Sequence, residues 1–343
     1  MKRKLRVLVL MHEDLVPPES IEGLSDKDMQ SWKTEYDVTA TLKDLGHDVR
    51  PLGVASDLGV LRNAIDEFKP HITFNLLEEF HGVGVYDQHV VSYLELMKRR
   101  YTGCNPRGLM LAHDKALSKQ VLVYHRIPVP DYAVFPMGRK VRKTRRLKFP
   151  MFVKSLTEEG SVGISQASVV SDDQQLVERV QFIHRQIGTD AIAEQFIEGR
   201  ELYVGVLGNQ RLQTLPVWEL LFTKMPEDVP FIATSKVKWD IDYQKKRGIV
   251  YKAAEKLPAG IEPKIARLCK RAYRDLNLSG YARMDLRLTP DDRIYLLEAN
   301  PNPDLVYGGE LADSAEAASI SYDALLQRIL GLGRSYRAEW QEK

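Results

Sequence analysis

Cysteine is scarce: the 343 residues hold 2, Cys104 and Cys269. They lie far apart and form no C-x-x-C pair, so neither a disulfide framework nor a cysteine zinc site organises the chain. A reducing, cytoplasmic setting is the expectation. No apolar run approaches the ~20 residues that span a bilayer. The opening MKRKLRVLVLMHEDL begins basic and turns apolar as a secretory leader does. Its apolar run is short, meets His12, Glu13 and Asp14 at once, and lacks a small-residue cleavage site, so it reads as a buried first strand. Excess charge of one sign is also missing: 49 Lys and Arg face 47 Asp and Glu, net +2. Global charge therefore implies no attraction to nucleic acid or to an anionic membrane. No G-x-G-x-x-G follows the first strand, which leaves a dinucleotide site unsupported.

What is present is globular composition, 44% apolar and 28% charged, in a chain long enough for about two to three domains. Up to about Asn105, strands (Leu5 to Met11, Asp48 to Leu52, Ile72 to Leu77) alternate with helices (near Lys33 to Leu45, Asp57 to Phe68, Asp87 to Arg99). Such alternation means βαβ units and a parallel sheet. Gly46 marks a helix stop and Asp87 a helix N-cap. His81 and His89 flank a glycine-containing loop after a strand, where open α/β sheets collect ligands; without a third ligand they read as solvated or capping histidines. The basic run RKVRKTRRLK, Arg139 to Lys148, contains no aromatic residue to stack bases, and a solvated loop is expected.

The most informative stretch is GYARMDLRLTPDDRIYLLEANPNPD, Gly280 to Asp304. Two strands, Tyr281 to Leu288 and Arg293 to Ala299, flank Thr-Pro-Asp-Asp. With those four residues as the loop, Arg283 faces Glu298 and Asp285 faces Leu296, leaving Asp285 and Glu298 diagonal neighbours on one face. Asn300 joins that face by the period of two. Two carboxylates and a carboxamide beside an arginine are hard ligands suited to Mg²⁺ carrying phosphates. A surface hairpin with an ordinary Arg283–Glu298 ion pair is the plainer reading. The apolar opposite face of Ala282, Met284, Leu286 and Leu288 argues against it.

GYARMD followed by LLEANPNPD resembles the metal-binding hairpin of the ATP-grasp superfamily, and within it the D-alanine–D-alanine ligase group. Other segments match in order: Asp114-Lys115 with Lys119 and IPVP; Lys154 before the glycine loop SLTEEGSVGIS; Glu194 to Glu201 in AEQFIEGRE; Lys238-Trp239. The resemblance implies an α/β (α+β ATP-grasp) fold with an amino-terminal parallel α/β domain (residues 1–110) and two ATP-grasp subdomains (111–195 and 196–343) holding ATP between them. It implies an ATP-dependent carboxylate–amine ligase working through an acyl phosphate on small-molecule substrates, and the chain's departures from the family at the lid, Asp304 and Gly309 point to an amino acid or small peptide other than the D-alanine pair. Lys115 and Lys154 would meet the phosphates, Glu194, Gln195 and Ile197 the adenine, Glu201 the ribose, and Lys238 the γ-phosphate, with Lys236 the competing choice. Asp285, Glu298 and Asn300 would hold Mg²⁺, two ions being expected and Mn²⁺ able to substitute. Arg283 would stabilise the oxyanion, and Ser161, where the family usually has two serines, would orient substrate. Asp304 and Gly309 replace the family's glycine and serine at the substrate end. A homodimer is common among similar ligases. A small-molecule kinase and a non-catalytic ATP-binding module stay open as alternatives.

Overall fold

A computed structural model of the chain describes residues 4–142, 147–226 and 230–341. Residues 143–146, at the heart of the basic run, lie outside the described residues. Thirteen strands fall into three sheets among the described residues. β1 (Arg6–His12), β2 (Asp48–Val54) and β3 (Ile72–Asn75) pair in parallel in the order β2-β1-β3. β1 carries Val7 to Met11 at 0% exposure, the continuous apolar run of a strand covered on both faces. The helix Lys33–Asp44 ends where Gly46 takes φ 82, the left-handed geometry glycine adopts most readily.

β4 (Tyr132–Phe135), β5 (Met151–Ser155), β6 (Val169–Val170) and β7 (Ala191–Gln195) form an antiparallel sheet, β4-β7-β5-β6. β8 (Arg200–Leu207), β9 (Gln213–Thr214), β10 (Trp218–Phe222), β11 (Ile249–Ala253), β12 (Tyr281–Leu288) and β13 (Ile294–Pro301) form another, β11-β10-β8-β12-β13 with β9 on β8. The helix Ile261–Asp275 lays Ile261, Ile265, Cys269, Ala272 and Tyr273 into the core, the spacing of one helical face. Both cysteines are free and buried. Among the described residues, no helix is long and apolar enough to cross a membrane.

Two expectations are corrected. The hairpin loop has five residues, because Leu288 pairs with Ile294 and Asp292 turns left-handed at φ 61. A bulge between Asp285 and Leu286 then sets Asp285 opposite Glu298 and Arg283 opposite Asn300. Asp87 is also not the N-cap: Tyr86 holds that position without a side-chain bond, because the Asp87 carboxylate is drawn to His113.

Candidate active site

The two antiparallel sheets face each other across a chain of alternating charges. Lys115 opens the helix Lys115–Tyr124, which Asp114 caps by accepting from Ala116 and Leu117 N–H. Its Nζ lies 3.2 Å from Glu298 Oε1 and donates to the Glu158 carbonyl at 2.8 Å. Glu298 Oε2 sits 3.2 Å from Lys154 Nζ, and Lys154 is 3.5 Å from Glu194 Oε1. Glu194 in turn meets Lys119 at 3.2 Å. Burial alone would raise the Glu298 carboxyl, but Lys115, Lys154 and Lys238 outweigh it and hold the group well below the usual carboxylate range. Burial opposes the Lys154 charge as well, and Glu194 and Glu298 overcome it. Lys119, 2% exposed, goes the other way: burial lowers it despite Glu194. The sequence carries Lys119 only as a motif letter; its spacing, one helical turn after Lys115, is the signal that puts both amines on one face.

On the hairpin, Arg283 does not pair with Glu298. Its Nε and Nη2 grip Asp285 at 2.7 and 3.0 Å, while Nη1 reaches Glu310 Oε2 at 3.1 Å. Asp285, Glu298 and Asn300 nevertheless share one face and line one polar recess with Lys115, Lys154 and Lys238. Asn300 Nδ2 is buried without a hydrogen-bond partner. Among the described residues no three His, Cys, Asp or Glu side chains gather closely enough to hold a metal. The donor set of two carboxylates and one carboxamide fits an ion of the Mg²⁺ type, which takes one or two protein carboxylates and completes its shell with phosphate and water. Lys238, on the helix Ser235–Trp239, lines the recess, whereas Lys236 is exposed.

Beside the recess lies a cleft lined by Lys154, Glu194, Gln195, Ile197, Glu201 and Asp285, among others. The Gln195 N–H donates to the Asp131 carbonyl at 2.7 Å and is already engaged within the protein. Glu201 accepts from Tyr203 Oη at 2.7 Å and from Arg287 Nη2 at 2.6 Å. Arg287, 5% exposed, also donates to the Gly199 and Phe231 carbonyls. It was not singled out in the sequence, although it follows Arg283 and Asp285 along the same face of β12.

The glycine loop closes over the recess. The Gly160 carbonyl accepts from Trp239 Nε1 at 2.9 Å. The Ser161 hydroxyl donates to the Ala233 carbonyl at 2.9 Å, and Ser235 Oγ donates to the Ser161 carbonyl. At the opposite end Asp304 is exposed and accepts from Thr34 Oγ1 at 2.6 Å and Val306 N–H at 2.9 Å. Gly309 is the N-cap of the helix Glu310–Ala317 and offers no side chain. Glu35, 6% exposed, is pushed up to about 7 by burial and by the charge of Asp304. Glu78, whose side chain still reaches solvent, is pushed up to about 8 by the protein crowding it and by Asp304, Glu159, Glu35 and Asp87. His89 stacks edge-on to Tyr86, and His81 takes a left-handed φ of 58 in the loop.

The family described as D-ala D-ala ligase C-terminus matches residues 122–331. A Sinorhizobium fredii protein, y4sG, described as uncharacterized, is 31% identical over 305 residues, 85% of each chain. The D-alanine–D-alanine ligase of Syntrophotalea carbinolica is 30% identical over 320 residues, 92% of this chain and 94% of that protein. The crystal structure of D-alanine–D-alanine ligase from Bacillus anthracis complexed with ATP aligns with TM-score 0.74 and 22% identity over 96% of this chain and 97% of that one. The fold is therefore that of the ATP-grasp ligases.

Proposed function

The chain belongs to the D-alanine–D-alanine ligase family, and from that membership we propose that it is an ATP-dependent ligase joining a small-molecule carboxylate to an amine. The observation that carries the reading is the Lys115–Glu298–Lys154 bridge beside Asp285 and beneath the glycine loop. An incoming triphosphate takes over the two ammonium groups, and its base enters the cleft lined by Glu194, Gln195 and Ile197, with the ribose near Glu201. Asp285, Glu298 and Asn300 would hold Mg²⁺, which would supply charge neutralisation at the phosphates.

The substrate carboxylate oxygen attacks the γ-phosphorus, ADP leaves, and an acyl phosphate forms. The amine nitrogen then attacks the acyl carbon; phosphate departs with the C–O pair and the amine loses a proton. Arg283 is aimed at the oxyanion of that addition, its other donors fixed by Asp285 and Glu310. Lys238 faces the transferring phosphoryl group, and the loop carrying Ser161 keeps water away.

The finer reading concerns the substrates. Asp304 and Gly309 put a carboxylate and no hydroxyl where a second amino acid's carboxylate would be gripped, and Glu35 and Glu78 nearby add charge of the same sign as pH rises through about 7 to 8. An amine with a net positive charge fits this end better than the zwitterion D-alanine. The test is release of ADP and phosphate that needs both carboxylate and amine, with hydroxylamine trapping the acyl phosphate as a hydroxamate. Phosphate release that needs no amine and yields no hydroxamate refutes the ligase reading and favours a kinase.

A further inference from the structure

The buried His113 has no part in the chemistry above, yet it is held from both sides. It ends the helix Pro106–His113. Its Nε2 lies 3.0 and 3.1 Å from the two oxygens of Asp87, at the start of the helix Asp87–Leu96. Its Nδ1 lies 3.0 Å from Glu159 Oε1, in the glycine loop. The His113 and Asp87 side chains are 9% and 5% exposed, so the ring is enclosed among groups that accept hydrogen bonds at both nitrogens. A neutral imidazole donates from only one nitrogen; two carboxylate partners select the doubly protonated ring.

We propose that His113 is a positioning residue that latches the glycine lid through Glu159 and ties it, through Asp87, to the loop before the helix Asp87–Leu96. The inference rests on the reading of residues 157–165 as the phosphate lid. Lys115 supports the same edge by donating to the Glu158 carbonyl at 2.8 Å, so one helix junction, 113–115, holds two consecutive lid residues. The carboxylate Glu78 lies on that loop and feels both Glu159 and Asp87.

Burial would lower His113, but its hydrogen bonds to Asp87 and Glu159 push it up to about 10. The other charged groups bearing on the latch are Lys115 and Glu298, which act on Glu159, and Glu78, which is coupled to both Glu159 and Asp87. With the folded value raised, the latch is complete below the ordinary histidine range, weakens steadily above it, and is lost as pH climbs through about 10.

The test is hydrogen exchange of residues 157–165 in the full chain without substrates, expressed as protection relative to unstructured peptide. It needs no turnover, so failure of the ligase reading, seen as absent hydroxamate, is separable. Glu159→Gln, isosteric and on the loop, should lower lid protection about 10-fold or more while β5 and β7 keep theirs. Wild-type protection should be fullest below the ordinary histidine range and decline as pH climbs from there toward about 10. In Asp87→Asn the decline should be smaller and complete by about 8, because the ring has lost one of its two carboxylate partners and titrates nearer its ordinary value of about 6.5. Unchanged protection in Glu159→Gln overturns the proposal. So does a flat wild-type profile between about 6.5 and 10, which would mean that Glu159 anchors the lid without the imidazolium charge.

Discussion

Glu298→Gln separates binding from turnover. The replacement keeps shape and opens no cavity, but it changes a row of three lysines and two glutamates, Lys115, Glu298, Lys154, Glu194 and Lys119, into three positive charges against one. Losing one partner of a fully buried ion pair costs about 3–5 kcal/mol. The Glu298 side chain is 19% exposed, so partial solvation of the freed lysines brings the expected loss to about 2–3 kcal/mol. The variant should stay folded and melt several degrees lower. Its nucleotide affinity in chelator should hold or rise, since Lys115 and Lys154 no longer have Glu298 as a competing anion. Turnover should drop about 100-fold or more as a proposed metal ligand is lost, and added Mg²⁺ should no longer tighten nucleotide. Because the native carboxyl is depressed, its stabilising charge is present above the unfolded range of about 4.3 and fades as pH falls below it. Wild-type and variant melting curves should therefore converge in acid. Calorimetric nucleotide titration with and without Mg²⁺, alongside coupled ADP release, decides the matter. Wild-type turnover, or a Mg²⁺ effect that persists in the variant, would refute the reasoning.

Lys238→Ala should cut turnover strongly, and Lys236→Ala should leave it near wild type; equal effects in ADP release would remove Lys238 from the phosphate site. Arg287→Met should leave Glu201 buried without its cation and cost about 3–5 kcal/mol, read as a shift in urea midpoint, and a shift below about 1 kcal/mol would show that Arg287 holds little. Among amines, diamines and basic amino acid amides should outperform D-alanine in phosphate release. Their KM should fall as pH rises through about 7 to 8, where Glu35 and Glu78 ionise; a flat KM or efficient use of D-alanine alone would count against the cationic end.

The hairpin shows what a sequence can and cannot carry. Period-two alternation puts Arg283, Asp285, Glu298 and Asn300 on one face, and that face is observed even though the pairing differs. The reason is parity. The left-handed Asp292 lengthens the loop by one residue and the bulge at Asp285/Leu286 adds another, and two single slips restore the face that either alone would have inverted. Neither slip has a local signature in TPDDR. The glycine loop was legible because its chemistry is local. The Asp87–His113–Glu159 latch was not, because its parts come from two helices and a loop that only the fold brings together, and Asp87 had a credible local role as a cap.

The same distinction governs Arg283. Its neighbour two residues on, Asp285, was readable as a site residue, but nothing near Gly309 announces that Glu310 reaches back to share the guanidinium. That sharing shapes the chemistry. An arginine clamped by two carboxylates presents its charge in a fixed direction, and little side-chain entropy remains to be lost when an oxyanion forms before it. On the proposed ligase reading, its stabilisation falls on the charge that develops during addition, which is where it would raise the rate.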